Sequence, residues 1–297
     1  MLIGGGPAGL SALLWCSRLG LDALLLERGK ELGGQLLSIF APITDHLGVS
    51  AASGRELGER FVDGLGPLAA KARSSAGVRE LDADALAVTL DNGERISARA
   101  IVIATGVRRR ELGVPGEKDF AGRGILRSGA LERESVRGLR VAIVGGGDAA
   151  IENAIILSET AASVTVIHRG AALGARPEFQ QEARRRSNVQ FLMSTVVERF
   201  GGGERLESLD VSSDDGRERL EIDAALVRIG VVPNSEFLRS AVMLDDRGYV
   251  KIDAECRTSC ERIFAVGDVA RPTAPTISAA VGDGSIAAKS ICLLING

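Results

Sequence analysis

The sequence predicts an α/β protein with two β-α-β units of the same kind, one inserted in the other, and three observations carry that prediction. A glycine fingerprint stands at Gly4-Gly5-Gly6-Pro7-Ala8-Gly9, a second at Gly145-Gly146-Gly147-Asp148-Ala149-Ala150, and each lies between an apolar run and a helix-spaced run. In such a fingerprint the first glycine makes the strand-to-helix turn, the second admits phosphates to the helix N-terminus, and the third position packs helix on strand. One match is weak. Two in one chain point to two dinucleotides, and the units are read as Rossmann-like, three-layer ββα dinucleotide-binding domains.

Taken in order, apolar residues from Gly6 to Leu19 recur at helical spacing, and Leu21 to Glu27 is a short strand-like run bounded by Gly20 and Gly29. Gly33-Gly34-Gln35-Leu36 reads as a loop, and residues 55–73 as a helix. Ala87 to Leu90, the turn Asp91-Asn92-Gly93 and the run from Ile96 form a hairpin ahead of a core strand, Ala100 to Ala104, that ends in Thr105-Gly106. The second β-α-β unit spans Arg140 to Arg169. A polar helix follows at 177–187, then short strands up to Val227-Arg228-Ile229-Gly230, with Gly201 to Glu204 as a turn. Tyr249 to Ile252 and Ile263 to Val266 are strand-like, and Ser278 to Leu294 is an apolar closing helix.

The first unit has too few parallel strands before residue 107, and the Ile263 strand with the closing helix supplies the rest. Residues 1–107 and 235–297 are therefore read as one discontinuous domain, with 111–231 inserted as the other. The crossings at 107–111 and 231–234 form a double-stranded hinge at which domain rotation is expected. Only three residues precede Gly4, against about five or six in an ordinary strand, so a clipped first strand or a misassigned start is expected.

Composition excludes several partners. With 45% hydrophobic residues and a net charge of -3, the chain has no electrostatic bias toward nucleic acid. Arg108-Arg109-Arg110 and Arg184-Arg185-Arg186 are short and flanked by acids, and read as solvated faces without an aromatic platform. No run reaches the ~20 apolar residues of a bilayer crossing, and the start has no signal-peptide pattern. No membrane partner and a cytoplasmic location are expected. Four cysteines, Cys16, Cys256, Cys260 and Cys292, include no C-x-x-C pair. Cys256 and Cys260, spaced C-x3-C, are a candidate reactive pair, while Cys16 and Cys292 sit in apolar helical patterns as small buried thiols. Two histidines and no Cys/His cluster imply no metal site.

The strand after the first fingerprint ends in Glu27, and the strand after the second in His168-Arg169. An acid suits a bare ribose diol, whereas bases suit a 2′-phosphate. The first site thus reads as FAD-like or NAD-like and the second as NADP-like.

These residues, with Ala104-Thr105-Gly106, Gly230-Val231-Val232-Pro233-Asn234 and Phe264-Ala265-Val266-Gly267-Asp268-Val269 in the same order, resemble the low-molecular-weight thioredoxin reductases and related two-dinucleotide flavoproteins. The resemblance implies an FAD site at Gly4, Gly6, Pro7 and Ala8 (pyrophosphate), Glu27 and Arg28 (adenosine end), Gly33, Gln35 and Leu36 (riboflavin part), Thr105, Gly106, Gly267 and Asp268 (ribityl or phosphate region). It further implies that Thr276 and Ile277, at the start of the closing helix, aim backbone N–H groups at the flavin pyrimidine end. For NADPH it implies Gly145, Gly147, Asp148, Ala149 and Gly230, with His168, Arg169 and Arg176 on the 2′-phosphate. Gly170 stands where the family carries a second consecutive arginine, which leaves NADH as the other candidate donor. Asp45 and His46 lie where relatives place Asn and an aromatic residue, and are read either as a solvated loop or as a flavin contact and a proton carrier.

One part of the family pattern is missing. Its redox C-x-x-C precedes the second fingerprint, where this sequence has Ser128-Gly129-Ala130-Leu131-Glu132, with Ser128 and Leu131 in the two cysteine positions. Neither side chain exchanges disulfides. A cysteine near the first turn, used by some low-molecular-weight disulfide reductases, is also replaced, by Ala8. The implied function is an FAD-dependent NAD(P)H oxidoreductase that passes electrons to an acceptor other than an internal dithiol. Ferredoxin, flavodoxin, a quinone, oxygen or a small molecule are the acceptors considered. The alternatives are a ferredoxin- or flavodoxin-NADP reductase specifically, a non-catalytic flavin-binding redox sensor, and a disulfide reductase using Cys256 and Cys260. The resemblance also implies a homodimer.

Overall fold

Short apolar runs without polar alternation make the centre of the first unit, as expected of parallel strands covered on both faces. The computed structural model describes residues 1–238 and 241–296. It divides into two units, Met1–Arg108 with Val232–Gly297, and Arg109–Val231. In the first, five parallel strands stand in the order Ile263–Ala265, Ile101–Ile103, Leu2–Ile3, Leu25–Leu26, Ala72–Arg73, with Leu2 opposite both Leu25 and Val102. Successive side chains point to opposite faces. Leu2, Leu25, Val102 and Phe264 share a core with the helices Pro7–Arg18 and Ile277–Asn296. Ile3, Leu26, Ile101, Ile103 and Ile263 share one with an antiparallel sheet of Val78–Asp82, Ala87–Leu90 and Arg95–Ser97. Three layers result: helices, parallel sheet, antiparallel sheet.

The closing helix corrects one expectation, since its 20 residues and mean hydropathy of 1.4 are by length and composition enough to cross a bilayer. Here it is a core element. Ala280, Asp283, Gly284, Ala287, Ala288 and Ile291 are buried, and a Cβ added at Gly284 would lie 2.4 Å from the Ala8 carbonyl oxygen, so the two helices meet backbone to backbone.

Other departures have local causes. The helix expected over 55–73 stops at Leu65, because Gly66 takes φ 53° and Pro67 follows it, and Ala72–Arg73 is freed as the fifth parallel strand. The strand expected over 21–27 shortens to Leu25–Leu26. Tyr249 to Ile252 is no strand beyond a single bridge from Val250 to Leu244, because the Asp245 carboxylate accepts the N–H groups of Arg247 and Tyr249 and curls the chain. Gly201 and Gly202 extend a strand rather than forming the turn.

The second unit repeats the three layers. Its parallel sheet runs Val189–Leu192, Ser163–Ile167, Arg140–Val144, Ala224–Val227. Helices Asp148–Ser158 and Pro177–Arg185 cover one face, and an antiparallel sheet of Val196–Gly202, Leu206–Ser213 and Gly216–Glu221 covers the other. Since the chain leaves the first unit after Arg108 and returns at Val232, one unit is an insertion in the other.

Candidate dinucleotide sites

The first glycine turn separates packing from binding. At Gly4, with φ 111°, a Cβ would lie 2.4 Å from the Ala104 carbonyl oxygen, and at Gly9 only 1.9 Å from that of Gly4. A Cβ at Gly6 would meet nothing nearer than the Gly34 Cα at 3.8 Å. Gly6 also begins the Pro7–Arg18 helix without a side-chain cap, so the first-turn N–H groups face an open cradle. Glu27 lies at its rim: Oε2 accepts the Gly5 N–H and Oε1 the Gly29 N–H, both at 2.6 Å.

Several predicted residues converge on this turn. Gly33 donates its N–H to the Gly5 carbonyl at 2.8 Å, Gln35 donates Nε2 to Asp268 Oδ2 at 2.8 Å, and Leu36 beside it is 1% exposed. Burial pushes the Asp268 carboxyl above the usual carboxylate range, with the Gln35 bond partly offsetting it. A Cβ at Gly106 would lie 3.5 Å from Gln35 Nε2, and one at Gly267 3.0 Å from the Ala8 Cβ. Thr105 is locked to Asn234 by reciprocal 2.8 Å bonds, Thr105 Oγ1 to the Asn234 carbonyl and Asn234 Nδ2 to the Thr105 carbonyl. Thr276 accepts the Ala279 N–H at 3.1 Å and so caps the closing helix, leaving the N–H groups of Ile277 and Ser278 at its open end. His46 Nδ1 is 3.1 Å from Ser278 Oγ at that end, its ring edge-on to Phe61. Arg28 turns to the antiparallel layer, donating to the Val78 carbonyl at 3.1 Å, and Asp45, next to His46 in the chain, is exposed.

The second turn has the same plan. Gly145 takes φ 144°, and a Cβ there would lie 2.1 Å from the Arg228 carbonyl oxygen, while Gly147 has open space at the start of the Asp148–Ser158 helix. The Gly146 carbonyl accepts the N–H groups of Gly174 and Ala175 at 2.9 and 3.1 Å, as that of Gly5 accepts Gly33. His168 lies against Gly146, where a Cβ would come 2.4 Å from its Nδ1, and its Nε2 is 3.1 Å from the Ala172 carbonyl. Arg176 donates its backbone N–H to Asp148 Oδ1 at 2.7 Å and its Nε to Oδ2 at 2.9 Å, with the guanidinium 4.3 Å from the Phe179 ring centroid. Arg169, Ala149 and Gly230 are exposed.

Comparison with known proteins decides what family builds such a pair. Residues 1–284 match the family described as pyridine nucleotide-disulphide oxidoreductase. Thioredoxin reductase of Listeria innocua is 32% identical over 98% of this chain and 91% of its own length. The chain belongs to this family. One component of the alkyl hydroperoxide reductase of Pseudomonas putida is 32% identical over 96% of this chain and 56% of that longer protein. The crystal structure of Lactococcus lactis thioredoxin reductase superposes with a TM-score of 0.86 at 29% identity, covering 99% of this chain and 98% of that one. The family uses FAD and NADPH, and this member is an FAD-dependent NAD(P)H oxidoreductase. The open cradles at Gly6 and Gly147 fit two pyrophosphates, and Glu27 and His168 sit at corresponding rims.

In this family member the segment before the second turn is a short helix, Gly129–Glu132, capped by Ser128. Ser128 Oγ accepts the Leu131 N–H at 3.5 Å, Glu132 Oε2 accepts the N–H groups of Arg127 and Ser128 at 2.6 and 2.8 Å, and Leu131 is 45% exposed. Cys256 packs in the helix-side core of the first unit and Cys260 on the side of its antiparallel layer. Burial pushes the Cys256 thiol up to about 11. Among the described residues no cluster of metal-ligating side chains occurs.

Sequence reasoning missed Asp283. Its carboxylate is 6% exposed and accepts the Gly267 N–H at 3.1 Å and Arg271 Nε at 3.2 Å, fixing the turn that carries Asp268. An acid on the apolar face of the closing helix was the available signal.

Proposed function

We propose that the first unit binds FAD, that the second binds NADPH, and that reducing equivalents leave for an acceptor other than an internal dithiol. Bound together, the two cofactors supply hydride and electron transfer, and the protein supplies binding and alignment. In this reading Gly4, Gly6, Pro7 and Ala8 hold the FAD pyrophosphate and Glu27 the ribose. Gly33, Gln35, Leu36, Thr105, Gly106, Gly267 and Asp268 hold the riboflavin part, and Thr276 and Ile277 the pyrimidine end. His46, steadied by Ser278, carries a proton beside it. Gly145, Gly147, Asp148, Ala149 and Gly230 hold the NADPH pyrophosphate and ribose, with His168, Arg169 and Arg176 near the 2′-phosphate. A cytoplasmic homodimer belongs to the same reading.

The observation that carries the proposal is the pair Ser128 and Leu131, of which one is spent as a helix cap and the other is an exposed hydrocarbon. The Cys256–Cys260 alternative is disfavoured by their separate cores and by the raised Cys256 thiol. The test is anaerobic addition of NADPH to the yellow protein, then a screen of ferredoxin, flavodoxin, quinone and disulfide acceptors. Rapid bleaching and turnover with a non-disulfide acceptor are expected. An unchanged spectrum would indicate a flavin-binding sensor, and disulfide turnover lost in Cys260→Ser would revive the dithiol.

A further inference from the structure

Beside the segment Arg127 to Glu132, two arginines from other parts of the chain converge on one acceptor. Arg109 and Arg228 both donate to one acceptor, the Arg127 carbonyl oxygen, Arg228 from Nη2 at 2.9 Å, and Arg228 Nη1 also donates to the Val227 carbonyl at 2.9 Å. Two guanidinium forks carry many donors in a fixed geometry, so most of their N–H groups stay open. Among the described residues no carboxylate oxygen lies within 4.0 Å of the side-chain nitrogens of Arg109, Arg127 or Arg228. Glu132 is the acid whose charge acts on both Arg109 and Arg228, and one of its oxygens is already bound by the Arg127 and Ser128 N–H groups. Burial first, and then the charge of Arg109, pushes Arg228 down to about 10, and Glu132 offsets only part of this. Bringing two guanidiniums to one carbonyl is unfavourable unless something else neutralises them, and planar forks match carboxylate and phosphate oxygens.

We propose that Arg109 and Arg228 form an oxyanion site that takes a phosphate or carboxylate group. The Arg228 carbonyl oxygen abuts Gly145, which places this residue beside the second glycine turn. The oxyanion therefore has two sources, the pyridine nucleotide's own phosphate or a separate anionic small molecule. The proposal does not depend on which acceptor the enzyme reduces.

The test is a 31P NMR titration of the flavin-loaded protein with inorganic phosphate at constant ionic strength, run with and without saturating NADP+. The paired variant Arg109→Gln with Arg228→Gln should weaken phosphate binding at least tenfold while keeping its flavin spectrum. The pair Arg109→Lys with Arg228→Lys should recover part of that loss, which separates charge from folding. Phosphate binding that survives NADP+ identifies a separate small anion, and binding abolished by NADP+ identifies the nucleotide's phosphate. Phosphate binding absent from the wild-type protein, or unchanged in the glutamine pair, overturns the proposal. The readout is equilibrium binding, so it stands even if NADPH fails to bleach the flavin.

Discussion

Asp268 is a carboxyl whose burial costs stability once it is charged. Its carboxyl is raised by burial, so its contribution to folding is greatest in acid and is lost as pH rises through its shifted value. Asp268→Asn should therefore raise the melting temperature of the flavin-free protein at pH 7.5, with the gain vanishing toward pH 4, while the variant retains FAD at least tenfold more weakly. Thermal melts at both pH values and a flavin-release titration check this, and equal gains at both pH values would refute the linkage. Cys256, pushed up to about 11, should stay unmodified by iodoacetamide at pH 8 while Cys260 reacts, as read by mass spectrometry. Equal labelling would contradict its burial. At this scale the sequence was legible in setting Glu27, the acid after a strand, beside the first glycine turn. It was silent where the role is a contact across the chain: nothing local to Asn234 announces its bonds to Thr105, and nothing local to Arg28 announces its turn toward Val78.

Elements were legible when their signals were local and long. The Pro7–Arg18 and Asp148–Ser158 helices follow from periodicity plus a glycine turn, whereas the two-residue strands Leu25–Leu26 and Ala72–Arg73 exist only because neighbours pair with them. The third fingerprint position shows how tightly an element can constrain one residue. Gly9→Ala would drive a methyl group to 1.9 Å from the Gly4 carbonyl oxygen and should abolish folding of the first unit, whereas Ala150→Gly should cost only about 1 kcal/mol of helix propensity. The closing helix gives a second expectation. Asp283→Ala removes the partner of the Gly267 N–H and of Arg271, whose side chain is 36% exposed. Breaking a buried pair costs roughly 3–5 kcal/mol, and with Arg271 partly solvated the loss should be about 2–3 kcal/mol, accompanied by flavin release. Urea unfolding of the holoprotein measures it, and a loss below about 0.5 kcal/mol, the size of a surface effect, would remove Asp283 from the account.

For the whole molecule, the doubled plan was readable because each unit repeats one order of strand, glycine turn, helix and strand, with a three-stranded antiparallel layer on the opposite face. The insertion was readable from a strand deficit before residue 107. Duplication of fold did not mean duplication of chemistry. At corresponding rims, Glu27 binds turn N–H groups with a carboxylate, and His168 lays a ring on the middle glycine. The segment ahead of the second turn, with its capping serine and the arginines that converge on its Arg127 carbonyl, is where the proposed loss of the disulfide relay is placed. The most direct measurement is an anaerobic dithionite titration of the flavin-loaded protein. A flavin with no dithiol behind it is fully reduced by a single two-electron equivalent, and that is the predicted endpoint. An endpoint at two such equivalents per flavin would reveal a second redox centre and contradict the account.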